Sequence, residues 1–278
     1  MLTRHDVVLA GLPRSGTTLT CHLLNRLPDT VALHEPIRGL FKAPTDRSEI
    51  CAGVDRFFRD TRESILTRGI AVSKHRDGRV PDNPVGDRRS ASGLRQRAVV
   101  KGEIRIEKDL GPGFLLVIKH PAAFTALLDD LVARFRCYAV IRNPLSVLAS
   151  WSSVDMSVQA GHAPIAERLD TALAHELGRI EDRLERQLHL LGWFYERFAR
   201  GLPSTSIVRY EELVASGGRT LGAITPHAAS LDEALHSQNS NEAYDRRAIG
   251  VIGDKLLRTD GAFWHFYAKA DVERLLHA

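Results

Sequence analysis

Apolar residues fall in short unbroken runs along this chain, and amphipathic stretches separate them. The run over residues 6–12 predicts a first strand. Residues 16–27 predict a helix, with Leu19, Leu23, Leu24 and Leu27 on one face. "TVALHEP" (30–36) reads as a second short strand ending at Pro36, and residues 47–68 carry a weaker helical pattern. "GFLLVIKH" (113–120) reads as a buried strand. Pro121 then opens a helix to about Arg134, in the position where a missing N–H costs nothing. "CYAVIR" (137–142) is another apolar run. "NPLSVLASW" (143–151) follows as a helix with Asn143 as N-cap and Pro144 at the first position.

From Ile165 to Arg200, apolar residues recur at three- and four-residue steps and predict a long core-packed helix, with Gly178 or Gly192 as the point of interruption. "TSIVRY" (205–210) predicts a last strand with a short helix after it, and the tail from Ser230 reads as irregular. Residues 73–98 are polar and punctuated by Gly and Pro. They predict a long loop, either a lid over an acceptor or a surface segment. The strands are apolar runs rather than period-two alternations, and they alternate with helices. That pattern predicts an α/β fold, a mostly parallel sheet flanked by helices on both faces. With no internal repeat and no linker, residues 1–278 read as one domain.

Composition narrows the function classes. The chain has 278 residues, 44% hydrophobic and 26% charged, as an ordinary globular protein has. No run approaches the ~20 apolar residues of a membrane-spanning helix. The first residues carry no secretory pattern, so the expected location is cytoplasmic. Cys21, Cys51 and Cys137 are too scattered for a metal site or a disulfide framework and read as small core residues. A net charge of +4 suits an anionic small-molecule ligand. Aromatics are only 6% of the chain and are not interleaved with the basic stretch, which disfavours a nucleic-acid partner.

The chemistry starts at "GLPRSGTTL" (11–19), between the first strand and the first helix. Gly11 and Gly16 keep the spacing of a Walker A loop, but Thr17 replaces its lysine and Thr18 holds the hydroxyl position. Backbone amides and the helix N-terminus still form an anion cradle, and the positive charge has moved to Arg14. Without the lysine that reaches the β/γ-phosphates, nucleoside triphosphate hydrolysis is disfavoured. A phosphosulfate, whose terminal group carries less charge, fits without a metal.

The stretch resembles the 5′-phosphosulfate loop of the sulfotransferases that use 3′-phosphoadenosine 5′-phosphosulfate (PAPS). That resemblance implies a P-loop NTPase-like sulfotransferase fold, with Arg14, Ser15, Gly16, Thr17 and Thr18 holding the 5′-phosphosulfate. "YAVIRNPLSVLASW" (138–151) resembles the family's 3′-phosphate motif and implies that role for Arg142 and Ser150. Physically, Arg142 would sit at a strand's C-terminal edge, where open α/β sheets bind ligands. "RRAIGVIGDK" (246–255) resembles, more loosely, the C-terminal loop that closes over the 3′-phosphate, which carries over Arg246, Arg247 and Gly250. It departs from the commoner Arg-Lys-Gly run at Ala248. "IVRYEELV" (207–214) implies a place near the nucleotide for Tyr210. Residues 40–110 carry no anchor.

Sulfuryl transfer needs an in-line acceptor, a base for its proton and positive charge on the leaving oxygen. Lys119, ending "LLVIK", is the candidate for that charge, beside Arg14. Two candidates compete for the base. Glu35 in "LHEP" matches the glutamate-using, tyrosylprotein-type and bacterial members. His120 matches the cytosolic members and has the better intrinsic pKa. The first is favoured, with His34 as a neighbour that orients or packs. The expectation is therefore metal-free transfer from PAPS to a hydroxyl of a carbohydrate, glycolipid or natural product. The alternatives are a nucleotide-dependent kinase or phosphotransferase, and a non-catalytic nucleotide-binding protein.

Overall fold

The structure is a computed structural model, and it describes residues 5–41, 46–241 and 244–277. The reading of the N-terminal residues rests partly on residues 1–4, outside the described residues. β1 (Asp6–Gly11) is buried at every position and leads through the Gly-rich loop into α1 (Thr17–Leu24). β2 (Thr30–His34) is also wholly buried. α2 (Arg47–Arg68) is capped by the Asp46 carboxylate, which accepts from the Ser48 amide, and stopped by Gly69 at φ 65°. An excursion follows with β3 (Ile70–His75), β4 (Val85–Arg89), β5 (Arg95–Arg97) and β6 (Val100–Arg105).

The chain returns with β7 (Leu115–Lys119), α3 (Pro121–Ala126), α4 (Leu128–Leu131), β8 (Arg136–Ile141) and α5 (Pro144–Ser152). Next come α6 (Pro164–Leu169), α7 (Thr171–Arg179), α8 (Arg183–Gly201), β9 (Ile207–Arg209) and α9 (Tyr210–Ala215). α10 (Arg246–Arg258) and α11 (Lys269–Leu276) close the described chain.

The main sheet has the order β2-β7-β1-β8-β9, and every pairing in it is parallel. This is the expected α/β fold, a parallel sheet flanked by helices. Along β1, Val7 and Leu9 face a core shared with Cys21, Leu23 and Leu24 of α1. Val8 and Ala10 face the larger core of α2, α3, α5 and α8. Each fully buried leucine of such a face contributes roughly 1.5–3 kcal/mol. All three cysteines are free and buried. Burial pushes the Cys21 and Cys137 thiols up to about 12, as expected of inert core residues.

Three expectations are corrected. Residues 73–98 are not an irregular loop. β3 pairs antiparallel with β6 across the whole segment, and β4 pairs with β5 inside it. The long helix over 165–200 is three helices. The breaks fall at Asp170 and Asp182, whose carboxylates accept from Leu173 and Glu185 amides as N-caps, while Gly178 and Gly192 lie inside helices. The tail is helical from Arg246, because the Asp245 carboxylate caps it by accepting from the Arg247 and Ala248 amides.

β1 is central, and its C-terminal end opens between β7 and β8. The C-terminal ends of all five strands carry a candidate residue: the loop after Gly11, Glu35 after β2, Lys119 on β7, Arg142 after β8 and Tyr210 after β9. Parallel strands place their site there because every crossover returns to the opposite edge.

Candidate active site

A cavity of about 670 Å³ lies over that edge, within the range of small-molecule sites. Among the described residues its wall carries six cationic side chains, Arg14, Lys74, Arg95, Arg97, Lys119 and Arg142, against Glu35 and Asp82. The cavity is therefore built for an anion.

The loop holds its shape through backbone conformation and a few buried contacts. Gly11 at φ 143° and Gly16 at φ 95° adopt backbones that glycine tolerates, and Arg14 at φ 72° shares the left-handed region. A Cβ on Gly16 would meet the Tyr210 ring at 2.7 Å, so the ring packs directly on the loop. Trp151 Nε1 donates to the Pro13 carbonyl at 2.8 Å. Ser15 is fully buried, and its hydroxyl lies 2.8 Å from the Leu12 carbonyl and 2.7 Å from the Val140 carbonyl. Ser15 thus locks the loop rather than facing the cavity, which corrects its assignment as a ligand contact. α1 follows Gly16 at its N-cap, with no side-chain cap and no acidic residue in its first turn. Its first amides and the helix dipole therefore suit a bound anion, and Thr17 and Thr18 line the cavity beside them.

On the β2–β7 side, Glu35 is the central group. Its amide donates to the Lys119 carbonyl at 2.8 Å, which extends the β2–β7 pairing by one residue, and its backbone then turns left-handed at φ 45°. Lys119 Nζ lies 3.4 Å from Glu35 Oε1 and donates to Thr18 Oγ1 at 3.1 Å. Lys74 of β3 contacts the other carboxylate oxygen, and His34 Nε2 stands 3.6 Å from Oε1. Burial pushes the Glu35 carboxyl up, but Lys119, His34 and Lys74 outweigh it and hold the group well below the usual carboxylate range. Burial lowers the Lys119 ammonium, and Glu35 opposes that shift. Burial, with help from Lys119, pushes His34 down to about 4.

His120 is placed differently. Its Nε2 accepts from the Ile37 amide at 3.2 Å, and its ring packs edge-on against Phe41 and Phe124. Burial pushes it down to about 3, so it stays neutral. Its lone pair is engaged in tying down the chain after β2.

On the β8–β9 side, Arg142 lies 4.6 Å over the Tyr210 ring. It donates to the Arg14 carbonyl at 3.0 Å, to Asn239 Oδ1 at 2.7 Å and to the Gln238 carbonyl at 2.5 Å. Arg14 does not reach back over the loop. Its Nε donates to Ser150 Oγ at 3.2 Å and its Nη1 to Asn83 Oδ1 at 3.1 Å. Desolvation pushes the Arg14 guanidinium down to about 10. Ser150 is fully buried and serves as the Arg14 acceptor. The cation beside Thr18 is therefore Lys119, and Arg14 joins Arg142 on the other side of the cavity.

Arg246, Arg247 and Gly250 are not brought into the cavity. The two arginines stand exposed on the first turn of α10, and Gly250 lies inside that helix. This corrects the expectation of a loop closing over the ligand. Sequence reasoning missed Lys74, Asn83, Arg95 and Tyr244, all of which line the cavity. The first three come from the excursion, where no local pattern marked a site.

No protein-family model matches this chain, and no curated protein matches it. Among solved structures, it is similar to the crystal structure of the sulfotransferase STF1 from Mycobacterium tuberculosis H37Rv. The identity is 16% and the TM-score 0.34, over 99% of this chain and 77% of that one. At that level of similarity, nothing is transferred from STF1 to the residues here. Among the described residues, no helix is long and apolar enough to cross a membrane.

Proposed function

We propose that this protein is a sulfotransferase that moves the sulfuryl group of PAPS to a hydroxyl of a carbohydrate, glycolipid or other small-molecule acceptor. One observation carries the reading. Glu35 Oε1 and the Thr18 hydroxyl share the Lys119 ammonium, at 3.4 and 3.1 Å, so a carboxylate base and a buried cation meet on an uncapped anion loop.

The site also has two cationic poles, Lys119 with Lys74 at β7 and Arg142 with Arg14 at β8. β1 alone separates β7 and β8, so the two strands whose ends carry Lys119 and Arg142 lie two strand spacings apart, about 10 Å. A nucleotide carrying a 5′-phosphosulfate and a 3′-phosphate suits two poles better than a single chain of phosphates does. The residues fit that donor. The α1 amides with Thr17 and Thr18 would hold its 5′-phosphosulfate, and Tyr210 and Arg142 would meet its nucleoside end. A 3′-phosphate at Arg142 would exchange for the Gln238 carbonyl and Asn239 amide oxygen that the arginine now grips. The donor supplies an activated S–O bond.

The chain's own groups supply the rest. Glu35 is ionised at neutral pH and takes the acceptor's proton as the new O–S bond forms. The bridging S–O bond breaks, and its electron pair leaves on the 5′-phosphate of adenosine 3′,5′-bisphosphate. Lys119 offsets the charge that grows on that oxygen. In the resting site the two lysines make Glu35 a weak base. A bound anion competes for both ammonium groups and raises its proton affinity when the acceptor arrives. His120 has its lone pair engaged, so the base role goes to Glu35, as in the glutamate-using members.

A kinase reading would need Mg²⁺ on Thr18, a hydroxyl that here accepts from the Lys119 ammonium. The test is turnover with PAPS and a panel of hydroxyl acceptors, without added metal, following release of adenosine 3′,5′-bisphosphate. Sulfated product is the expected result. Turnover that requires ATP and Mg²⁺ would overturn the reading, and bisphosphate binding without turnover on any acceptor would leave a non-catalytic nucleotide-binding protein.

A further inference from the structure

Arg95 is the least explained charged group in the cavity wall. It sits at the start of β5, and its main chain is pinned. Its amide donates to the Ser153 carbonyl at 3.0 Å, and its carbonyl accepts from the Asp155 amide at 2.9 Å. Its side chain then runs back along the end of α5, where Nη2 donates to Ser153 Oγ at 2.8 Å. Its Nε–H is buried and has no partner. A buried donor left unmade costs about 1–3 kcal/mol, so this one calls for a partner.

Its neighbours make the case stronger. Arg14 donates to Ser150 of α5, and Arg95 donates to Ser153, the residue that caps the end of that helix. Arg142 donates to the Arg14 carbonyl. Three guanidinium groups therefore gather at one end of the cavity. Among the described residues none of the three has a salt bridge to a carboxylate, whereas the half-buried Arg62 and Arg197 pair with Asp6 and Asp170. The charges of Arg142 and Arg95 both help to lower the Arg14 guanidinium. Unpaired cations held together in a partly dehydrated place are costly, and an anion of two charges relieves that cost. Neutral oxygens stand in for such an anion: Asn83 Oδ1 at Arg14, Asn239 Oδ1 and the Gln238 carbonyl at Arg142, and the Tyr244 hydroxyl 3.5 Å from Arg142 Nη2.

We propose that Arg95, delivered by the β4–β5 hairpin, is a third arginine of the nucleotide's 3′-phosphate site and takes the place that Arg246 and Arg247 leave empty. The inference rests on the sulfotransferase reading. It makes the hairpin a part of donor recognition, with Arg95 reading the presence of a 3′-phosphate. Its partners at that phosphate are Arg14 and Arg142, and Ser150 and Ser153 aim the two side chains that flank them.

The test is calorimetric binding of adenosine 3′,5′-bisphosphate and of adenosine 5′-phosphate to the wild type, Arg95→Gln, Arg95→Lys and Ser153→Ala, with circular dichroism to check folding. The wild type should prefer the bisphosphate. Arg95→Gln should lose about tenfold or more of the bisphosphate affinity and keep the monophosphate affinity within twofold. Arg95→Lys should fall between, and Ser153→Ala should show a smaller loss of the same sign. An unchanged preference in Arg95→Gln, or an equal loss for both nucleotides, would overturn the role of Arg95. A wild type with no preference for the bisphosphate would instead overturn the sulfotransferase reading, and this inference with it.

Discussion

Glu35 and Lys119 are neighbours twice over: the Glu35 amide donates to the Lys119 carbonyl at 2.8 Å, and Lys119 Nζ lies 3.4 Å from Glu35 Oε1. The pairing of β2 with β7 sets the first contact, and the left-handed turn at Glu35 produces the second. The sheet itself thus places a carboxylate and an ammonium group over the loop. Non-glycine residues pay about 1–3 kcal/mol for such a backbone, a cost commonly found at functional sites.

Glu35→Gln removes the proton acceptor and keeps the shape. Turnover should fall by 10²–10⁴-fold, the usual contribution of a general base, with bisphosphate affinity little changed. Because its neighbours hold Glu35 well below the usual range in the free site, wild-type kcat/KM should show no acid limb from this group between pH 6 and 8. A pH–rate profile together with nucleotide affinities checks both points.

Stability should fall steeply on mild acidification. His34 and His120 are neutral in the fold, pushed down to about 4 and about 3, while an unfolded histidine titrates near 6.5. Below about pH 6.5 the unfolded chain therefore binds more protons, and stability drops as pH falls towards those folded values. Each histidine contributes a slope of about 1.4 kcal/mol per pH unit in that window. Glu35 adds loss in the same direction, but only below the ordinary glutamate range. Urea midpoints at pH 7.5, 6.0 and 5.0 measure the slope, and His120→Gln should make it shallower.

Gly16→Ala should damage the loop. A methyl group there would meet the Tyr210 ring at 2.7 Å on a backbone at φ 95°. The expected loss is about 1–3 kcal/mol of stability, with nucleotide binding weakened as well. Thermal unfolding and calorimetry on the variant give both numbers.

Arg246→Gln with Arg247→Gln should leave bisphosphate affinity within twofold, because both side chains stand exposed on α10 and outside the cavity wall. A loss comparable to that expected at Arg142, read by the same titration, would show that α10 reaches the ligand after all.

The sheet and the loop were legible because local rules decide them. Unbroken apolar runs marked β1, β7 and β8. Asn143 and Pro144 marked the start of α5, and Asn143 Oδ1 does accept from the Leu145 amide. The sequence favoured Glu35 over His120 but could not show that the Ile37 amide donates to His120 Nε2 across 83 residues of sequence. The excursion was also hidden. β3 finds its partner β6 only after the β4–β5 hairpin has intervened, and its polar strands lack the apolar runs of the main sheet. That pairing brings Lys74 to the site, and backbone bonds to Ser153 and Asp155 hold Arg95 there. The breaks at Asp170 and Asp182 could have been read, since Asp is a strong N-cap and neither Gly178 nor Gly192 needed to end a helix.

The central claim is that this cavity binds a 3′-phosphorylated adenosine nucleotide without a metal. Calorimetric titration of adenosine 3′,5′-bisphosphate into the wild type and Arg142→Ala, with ATP–Mg²⁺ alongside, tests it most directly. The account predicts metal-free binding of the bisphosphate, weakened by about 1.5–3 kcal/mol in the variant, the value of a hydrogen bond to a charged group. A preference for ATP–Mg²⁺, or no binding of the bisphosphate, would contradict it.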